Sequence, residues 1–149
     1  MQTTTYLSDL PIVGQRIAEP GSADVAGSVY VHSVILDPNN VDEKAWADYD
    51  LGGHFARLHA KVGMLSDDLD QTLAWEVFAN GQSIKRGTVG LYKPVEIDVD
   101  ITGVQRLRIT SALTGHFDIG GGPDKLKLAF ADATLSVDLH NPPPPSPAS

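Results

Sequence analysis

Residues 49–81 read YDLGGHFARLHAKVGMLSDDLDQTLAWEVFANG, and this stretch decides the fold. In its second half Leu73, Trp75 and Val77 fall on one face of an extended chain, because side chains alternate between the faces of a strand. Asn80-Gly81 follows directly and predicts a hairpin, since a type I′ turn needs positive φ at both central positions. A strand that ends in such a tight turn is a piece of an antiparallel β domain.

Other segments extend the same pattern. Residues 27–36, GSVYVHSVIL, are dense in β-branched and aromatic residues and predict a strand. Residues 95–101, VEIDVDI, alternate most cleanly, with apolar side chains on one face and acids on the other. Residues 106–110 and 126–139 predict two more strands. Together these segments predict an all-β fold, a single antiparallel β-sandwich.

Three expectations concern the rest of the strand pattern. Residues 14–27 are rich in small and polar residues and predict a loop with weak strand content. Residues 41–48 predict one helical turn or a bulged segment. Arg106 and Arg108 alternate with apolar residues, and we expect them to pair across strands with the acids of residues 95–101.

Composition limits the classes of partner and site. The chain has 149 residues, 42% of them hydrophobic and 20% charged, which suits one globular domain. Its formal charge of −8 argues against nucleic acid and anionic membrane surfaces as partners, because like charges repel. No apolar run is long enough for membrane insertion. The absence of cysteine removes disulfides and thiolate metal sites.

The sequence divides into a domain and a tail. Residues 1–140 are the predicted β-sandwich domain, and residues 141–149, NPPPPSPAS, are a proline-rich tail or linker. Spacers of this kind join a domain to another domain or to a surface, so we expect tethering through the tail. The first ten residues, MQTTTYLSDL, lack the basic start and apolar stretch of a signal peptide.

No catalytic constellation emerges, so we expect no enzyme and no catalytic residue. The histidines show no HExxH spacing, and the acids fall in turns or on exposed strand faces. Asp67, Asp68 and Asp70 are candidate calcium ligands, although the glycine and bidentate glutamate of an EF-hand are missing. A solvated acidic turn is the favoured interpretation, with a structural calcium as the alternative. No other cofactor is implied.

The two tryptophans predict different roles. Trp75 lies between apolar alternates and is expected in the core. Trp46 precedes a turn, and an exposed ring at that position would stack on the apolar face of a sugar. A lid over the edge of the sandwich is the other interpretation of Trp46, and both stay open.

A series of short motifs runs through most of the chain. In order they are YLSDL (6–10), a strand ending in His32-Ser33, YDLGGHFARLHAKVG (49–63), WEVFANG (75–81), VEIDVDITGVQRLRI (95–109) and FADATL (130–135). Each motif is modest alone. In this order and spacing the series resembles the NPCBM family of carbohydrate-binding modules.

The resemblance implies a jelly-roll sandwich of the galactose-binding type that binds sugar through loops at one end. It also implies an extracellular or cell-surface accessory domain, since such modules accompany glycoside hydrolases and other surface enzymes, and some hold a structural calcium. The family's closing segment is Asp-His-x-Asp-Trp-Ala-Asp, whereas residues 126–132 read LKLAFAD, with Phe130 in place of the tryptophan. Only His32 and Asp132 keep the family's polar positions.

With this resemblance, the sequence predicts a non-catalytic carbohydrate-binding module that recognises a cell-wall or surface glycan. The predicted contacts are Trp46 for stacking and His116, Asp118 and Asp124 for hydrogen bonds to hydroxyls, with His32 beneath them. The alternative is a protein-interaction or sensor domain on the same fold that has lost sugar binding. The altered closing segment favours this alternative.

Overall fold

Two antiparallel β-sheets make up the computed structural model, which describes residues 4–16, 18–37, 45–65, 72–90, 93–113 and 127–137. Within these residues the first sheet contains β1 (Thr4–Tyr6), β3 (Ala18–Val25), β4 (Ser28–Leu36), β6 (Phe55–Met64), β9 (Val95–Asp100) and β11 (Leu128–Val137). The second contains β2 (Gly14–Arg16), β5 (Ala45–Asp50), β7 (Thr72–Ala79), β8 (Gln82–Gly90) and β10 (Arg106–Leu113). One turn of 3₁₀ helix, Leu7–Asp9, follows β1. The prediction of an antiparallel β-sandwich is confirmed.

The strand order brings distant parts of the chain together. It is β3-β4-β11-β6-β9 in the first sheet, where β1 pairs with the second half of β11, and β2-β5-β10-β7-β8 in the second. Strand β10 therefore lies between β5 and β7, although both precede it in the chain. As a result, Trp46 of β5 and Glu76 of β7 flank Thr110 of β10.

The core lies between the inward faces of the sheets. Strand β7 alternates as predicted, with Leu73, Trp75, Val77 and Ala79 buried and the side chains between them more accessible. Trp75 meets Phe130 of the first sheet edge to face, with ring centroids 6.4 Å apart. This geometry is favourable for aromatic pairs, so the two rings link the sheets through the core. The prediction that Trp75 is a core residue is confirmed.

The tight turns form as the sequence predicts. Asn80 and Gly81 adopt φ of 51° and 86° between the paired residues Ala79 and Gln82, as a type I′ hairpin requires. The Asn80 Oδ1 also accepts hydrogen bonds from the backbone N–H groups of Gln105 (2.9 Å) and Arg106 (3.0 Å). The same asparagine therefore fixes the point at which β10 begins.

Two segments differ from the expectation. Residues 14–27 contain β2 and β3 rather than a loop, because backbone pairing with β5 and β4 does not need apolar side chains. In the segment 41–48 the expected helical turn or bulge is wrong from Ala45 onward, where β5 begins, and residues 41–44 lie outside the described residues.

The expected cross-strand pairing of Arg106 and Arg108 with the acids of β9 is also wrong, because β9 and β10 belong to different sheets. Strand β9 pairs with β6 instead, where Arg57 Nε donates to Asp98 Oδ1 at 2.7 Å.

The outward face of the first sheet is covered by part of the chain itself. Strands β3 and β4 belong to this sheet, but the turn end of their hairpin lies over its outward face. There Ala23 and Val25 pack with Ala129 and Ala131 of β11 in a small apolar cluster. Gly63 permits this contact, since a Cβ at this position would lie 2.5 Å from Val25 Cγ1. We call this surface the closed face. The second sheet has no such cover within the described residues.

Candidate functional site

The outward face of the second sheet carries an unusual set of side chains. Cross-strand register aligns five of them in one row across all five strands, and further outward residues lie in the adjoining rows. The row is Arg16, Trp46, Thr110, Glu76 and Arg86. The adjoining rows add Asp48, Asp50, Phe78, Arg106 and Arg108. We call these residues together the open face.

An ion pair with two hydrogen bonds lies at the centre of the open face. Arg108 Nε donates to Asp48 Oδ1 at 2.6 Å, and Arg108 Nη2 donates to Asp48 Oδ2 at 2.9 Å. The Asp48 side chain is 9% exposed and that of Arg108 is 42% exposed. The hydrogen bond to Asp48 raises the pKa of Arg108, so the guanidinium stays charged. The pair therefore holds the Arg108 guanidinium in a fixed position at the surface.

Trp46 completes this arrangement. The Arg108 guanidinium carbon lies 4.3 Å from the centroid of the indole ring, a cation–π contact. On β2, a Cβ at Gly14 would lie 3.3 Å from Trp46 Cζ3, so the glycine makes room for the ring. Trp46 is partly buried, and part of its surface is used to orient Arg108.

Two shallow depressions mark the open face. The first has a volume of about 430 Å³ and is lined by Trp46, Asp48, Phe78, Gly81, Arg106, Arg108 and Thr110. The second, of about 500 Å³, shares Thr110 and includes Glu76, Arg86 and Thr88. Both volumes fall within the range of small-molecule sites. The first combines the aromatic side chains of Trp46 and Phe78 with the fixed Asp48–Arg108 pair, and ligand sites commonly combine aromatic side chains with a few placed polar groups in this way.

Comparison with known proteins identifies the family. Residues 3–136 match the model of the NPCBM/NEW2 domain. The chain belongs to the NPCBM/NEW2 domain family. No curated protein sequence matches the chain at a significant level.

Solved structures share the fold of this NPCBM/NEW2 domain. The CBM51 of Clostridium perfringens GH95 in complex with methyl-galactose is 15% identical, with a TM-score of 0.70 over 89% of this chain and 99% of that one. CBM51-2 of Clostridium perfringens ZmpB in complex with GlcNAc is also 15% identical, with a TM-score of 0.68 over 90% of this chain. This chain spans only 31% of that ZmpB structure.

A more distant neighbour carries a metal. The carbohydrate-binding module CBM36 in complex with calcium and xylotriose is 15% identical, with a TM-score of 0.50 over 90% of this chain and 98% of that one. These three neighbours are carbohydrate-binding modules that share the fold of this chain, so the β-sandwich implied by the resemblance is confirmed.

The predicted site residues of the NPCBM/NEW2 domain do not all meet in one place. Trp46 lies on strand β5 of the open face and not in a loop. His32 lies on β4 of the other sheet, where its ring stacks on Tyr6 with centroids 3.8 Å apart. The structure therefore does not bring His32 together with Trp46.

Other predicted residues cannot be placed. His116, Asp118 and Asp124, and the candidate calcium ligands Asp67, Asp68 and Asp70, lie outside the described residues. Within the described part of the chain, no group of three or more acidic, histidine or cysteine side chains could hold a metal ion. Those same residues also form no helix with the length and hydrophobicity needed to cross a membrane.

Of the open face, the sequence singles out only Trp46 as a binding residue, and Phe78 and Asp48 show why the others were missed. Phe78 is an aromatic residue on the outward, more polar side of β7, and an aromatic side chain on that side could have marked it as a surface contact. Asp48 precedes Arg108 by 60 residues, so only the register between β5 and β10 reveals their pairing. A pattern within one strand gives no information about its neighbour in the sheet.

Proposed function

We propose that this domain is a non-catalytic carbohydrate-binding module that recognises a cell-wall or surface glycan. The family and the binding modules that share its fold support this proposal. The observation that carries it is the first depression of the open face, where Phe78 lies beside the fixed Asp48–Arg108 pair. We place the main sugar contact there.

The chemistry of the depression suits a sugar ring. The C–H groups on one face of a pyranose pack against the π face of an aromatic side chain, and Phe78 supplies such a ring. The hydroxyl groups need fixed polar partners. A guanidinium has five N–H donors, and Arg108 uses two of them on Asp48, so the others remain for a ligand. Asp48 holds Arg108 in place and so reduces the entropy lost on binding.

A binding role fits these residues better than catalysis. Hydrolysis of a glycosidic bond commonly needs one carboxyl group that donates a proton and a second that attacks or activates water. The buried carboxylate of the depression, Asp48, already accepts two hydrogen bonds from Arg108. Its geometry makes it an anchor for the cation.

We propose that loops at one end of the sandwich extend this site. Trp46 is the second residue of β5, directly after the connection from β4, and residues 114–126 follow β10 in the chain. His116, Asp118 and Asp124 would then add hydrogen bonds to sugar hydroxyls. The ZmpB neighbour is part of a longer protein, which supports a tethered accessory domain joined through residues 141–149.

Glycan-array screening followed by calorimetry tests the proposal. The array identifies a ligand, and Phe78→Leu then removes the π face while keeping an apolar side chain of similar size. We expect Phe78→Leu to weaken binding at least tenfold, about 1.4 kcal/mol, and the control Phe78→Tyr to retain it. His116→Ala reports separately on the end loops.

Two results would overturn parts of the proposal. Equal affinity of Phe78→Leu and wild type, with loss in His116→Ala, would move the site to the loops. No binding of any glycan at millimolar concentration would instead favour the protein-interaction or sensor domain.

A further inference from the structure

The open face differs in charge from the rest of the chain. The chain has five arginines, Arg16, Arg57, Arg86, Arg106 and Arg108, and all except Arg57 lie on the open face. The acids of this face are Asp48, Asp50 and Glu76. Four arginines against three acids give it a formal charge of +1, while the whole chain carries −8. Most guanidinium groups of this acidic protein therefore lie on the open face.

These arginines are not equivalent. Arg108 is bound to Asp48 through two hydrogen bonds and is neutralised by it. Arg106 is exposed and lines the first depression together with Phe78. Its cross-strand neighbour is Asp50, yet no ion pair joins the Arg106 guanidinium to any described residue. Arg106 therefore offers a ligand on Phe78 a guanidinium that no described side chain holds in an ion pair.

The position of Arg106 is fixed by the backbone. Its N–H donates to Asn80 Oδ1 at 3.0 Å, and its carbonyl accepts from the Asn80 N–H at 2.8 Å. These bonds tie the start of β10 to the β7–β8 turn, beside Gly81 of the same depression. Arg86 stands on the far side of Thr110, in the second depression. The face thus presents cations at two points along one surface.

A planar guanidinium matches a planar carboxylate, because two parallel N–H···O bonds can form between them. The Asp48–Arg108 pair already shows this geometry on the same face. We propose that the open face binds an acidic saccharide, with Arg106 taking the carboxylate of a hexuronate ring that stacks on Phe78. Arg86 meets a second carboxylate further along the same saccharide. This inference rests on the proposed function and adds the class of sugar.

The negative charge of the whole chain does not prevent such binding. At physiological ionic strength, interactions between exposed charges are largely screened beyond about 8 Å. Charges on the closed face and at the sheet edges therefore act weakly on a ligand in the depression. Contacts at hydrogen-bond distance from Arg106 decide the affinity.

The test compares each acidic sugar with its own neutral form. Calorimetry is run with oligomers of galacturonate, glucuronate and mannuronate, each beside its carboxyl-reduced counterpart, and with a sulfated neutral oligosaccharide. We expect at least one uronate oligomer to bind tenfold or more tightly than its reduced form. Arg106→Gln should remove this preference. Arg57→Gln loses the same charge on the other sheet and should keep it.

The outcomes separate this inference from the proposed function. The inference is overturned if no uronate oligomer binds tenfold more tightly than its reduced form, if Arg106→Gln leaves the preference intact, or if the sulfated sugar binds best. If neutral sugars then still bind in a Phe78-dependent way, the proposed function stands. If the wild-type domain bound none of the sugars, neutral or acidic, both the inference and the proposed function would be overturned.

Discussion

The Asp48–Arg108 pair gives the sharpest test of how the open face is built. Asp48→Asn keeps the size of the side chain but removes its charge and replaces one acceptor oxygen with an N–H₂ donor. That donor faces Arg108 Nε or Nη2, so one of the two hydrogen bonds is lost. Hydrogen bonds to charged groups contribute about 1.5–3 kcal/mol each.

The exposure of the two side chains sets the expected magnitude. Asp48 is 9% exposed, which preserves the interaction, whereas Arg108 is 42% exposed, which allows solvent to screen it. We therefore expect Asp48→Asn to lower the free energy of unfolding by about 1–2 kcal/mol, below the cost of breaking a fully buried pair. For a chain of this length the melting temperature should fall by roughly 3–6 °C.

Urea denaturation in a double-mutant cycle measures the interaction itself. Asp48→Asn, Arg108→Gln and the double variant should show a coupling energy of about 1 kcal/mol or more. The control cycle uses Arg57→Gln and Asp98→Asn, a pair at 2.7 Å whose side chains are 49% and 56% exposed. Its coupling should be clearly smaller. Additive effects at Asp48 and Arg108, within about 0.3 kcal/mol, would refute the claim that this pair orders the face.

Three further predictions concern the scaffold. Gly63→Ala should destabilise the domain by about 1–3 kcal/mol in urea denaturation, because its Cβ would meet Val25 Cγ1 at 2.5 Å, and an unchanged midpoint would refute this packing of the hairpin. Asn80→Ala should cost about 1–3 kcal/mol, since it leaves the N–H groups of Gln105 and Arg106 without their acceptor, whereas Gln82→Ala on the same hairpin should cost less. The backbone and side-chain hydrogen bonds from Thr102 lower the pKa of Asp100, so this carboxylate stabilises the fold above its unfolded-state pKa, and the effect is lost as the pH falls through the folded-state value. Thr102→Val keeps the backbone bond and removes only the hydroxyl bond, so carbon-detected NMR titration should show a partial rise of the Asp100 pKa, and an unchanged value would contradict the side-chain contribution.

The sequence predicts the sheets well, because the evidence for them is local. The alternation of residues 95–101 and of β7 marks which side chains turn inward, and Asn80-Gly81 marks the hairpin. Strands β2 and β3 escaped prediction since their residues are small and polar, and each is held by backbone pairing with its neighbour. No periodic apolar pattern reveals such a strand.

The candidate site was harder to predict because it depends on which strands are neighbours. Trp46 was singled out as a candidate contact, and the structure places it on the open face, but its contact with Arg108 requires β5 to lie beside β10. The pairing of Arg106 and Arg108 with the acids of β9 was a plausible local inference. It is wrong because β9 and β10 belong to different sheets, and no residue pattern within either strand indicates this.

The central claim is that the open face of the second sheet meets the glycan. A ¹H–¹⁵N NMR titration with the oligosaccharide that binds most tightly in the array tests it directly. The largest shifts should fall on the amides of Trp46, Phe78, Arg106 and Arg108, which surround one depression. Shifts confined to residues 114–126, or to the β3–β4 hairpin of the closed face, would contradict the claim.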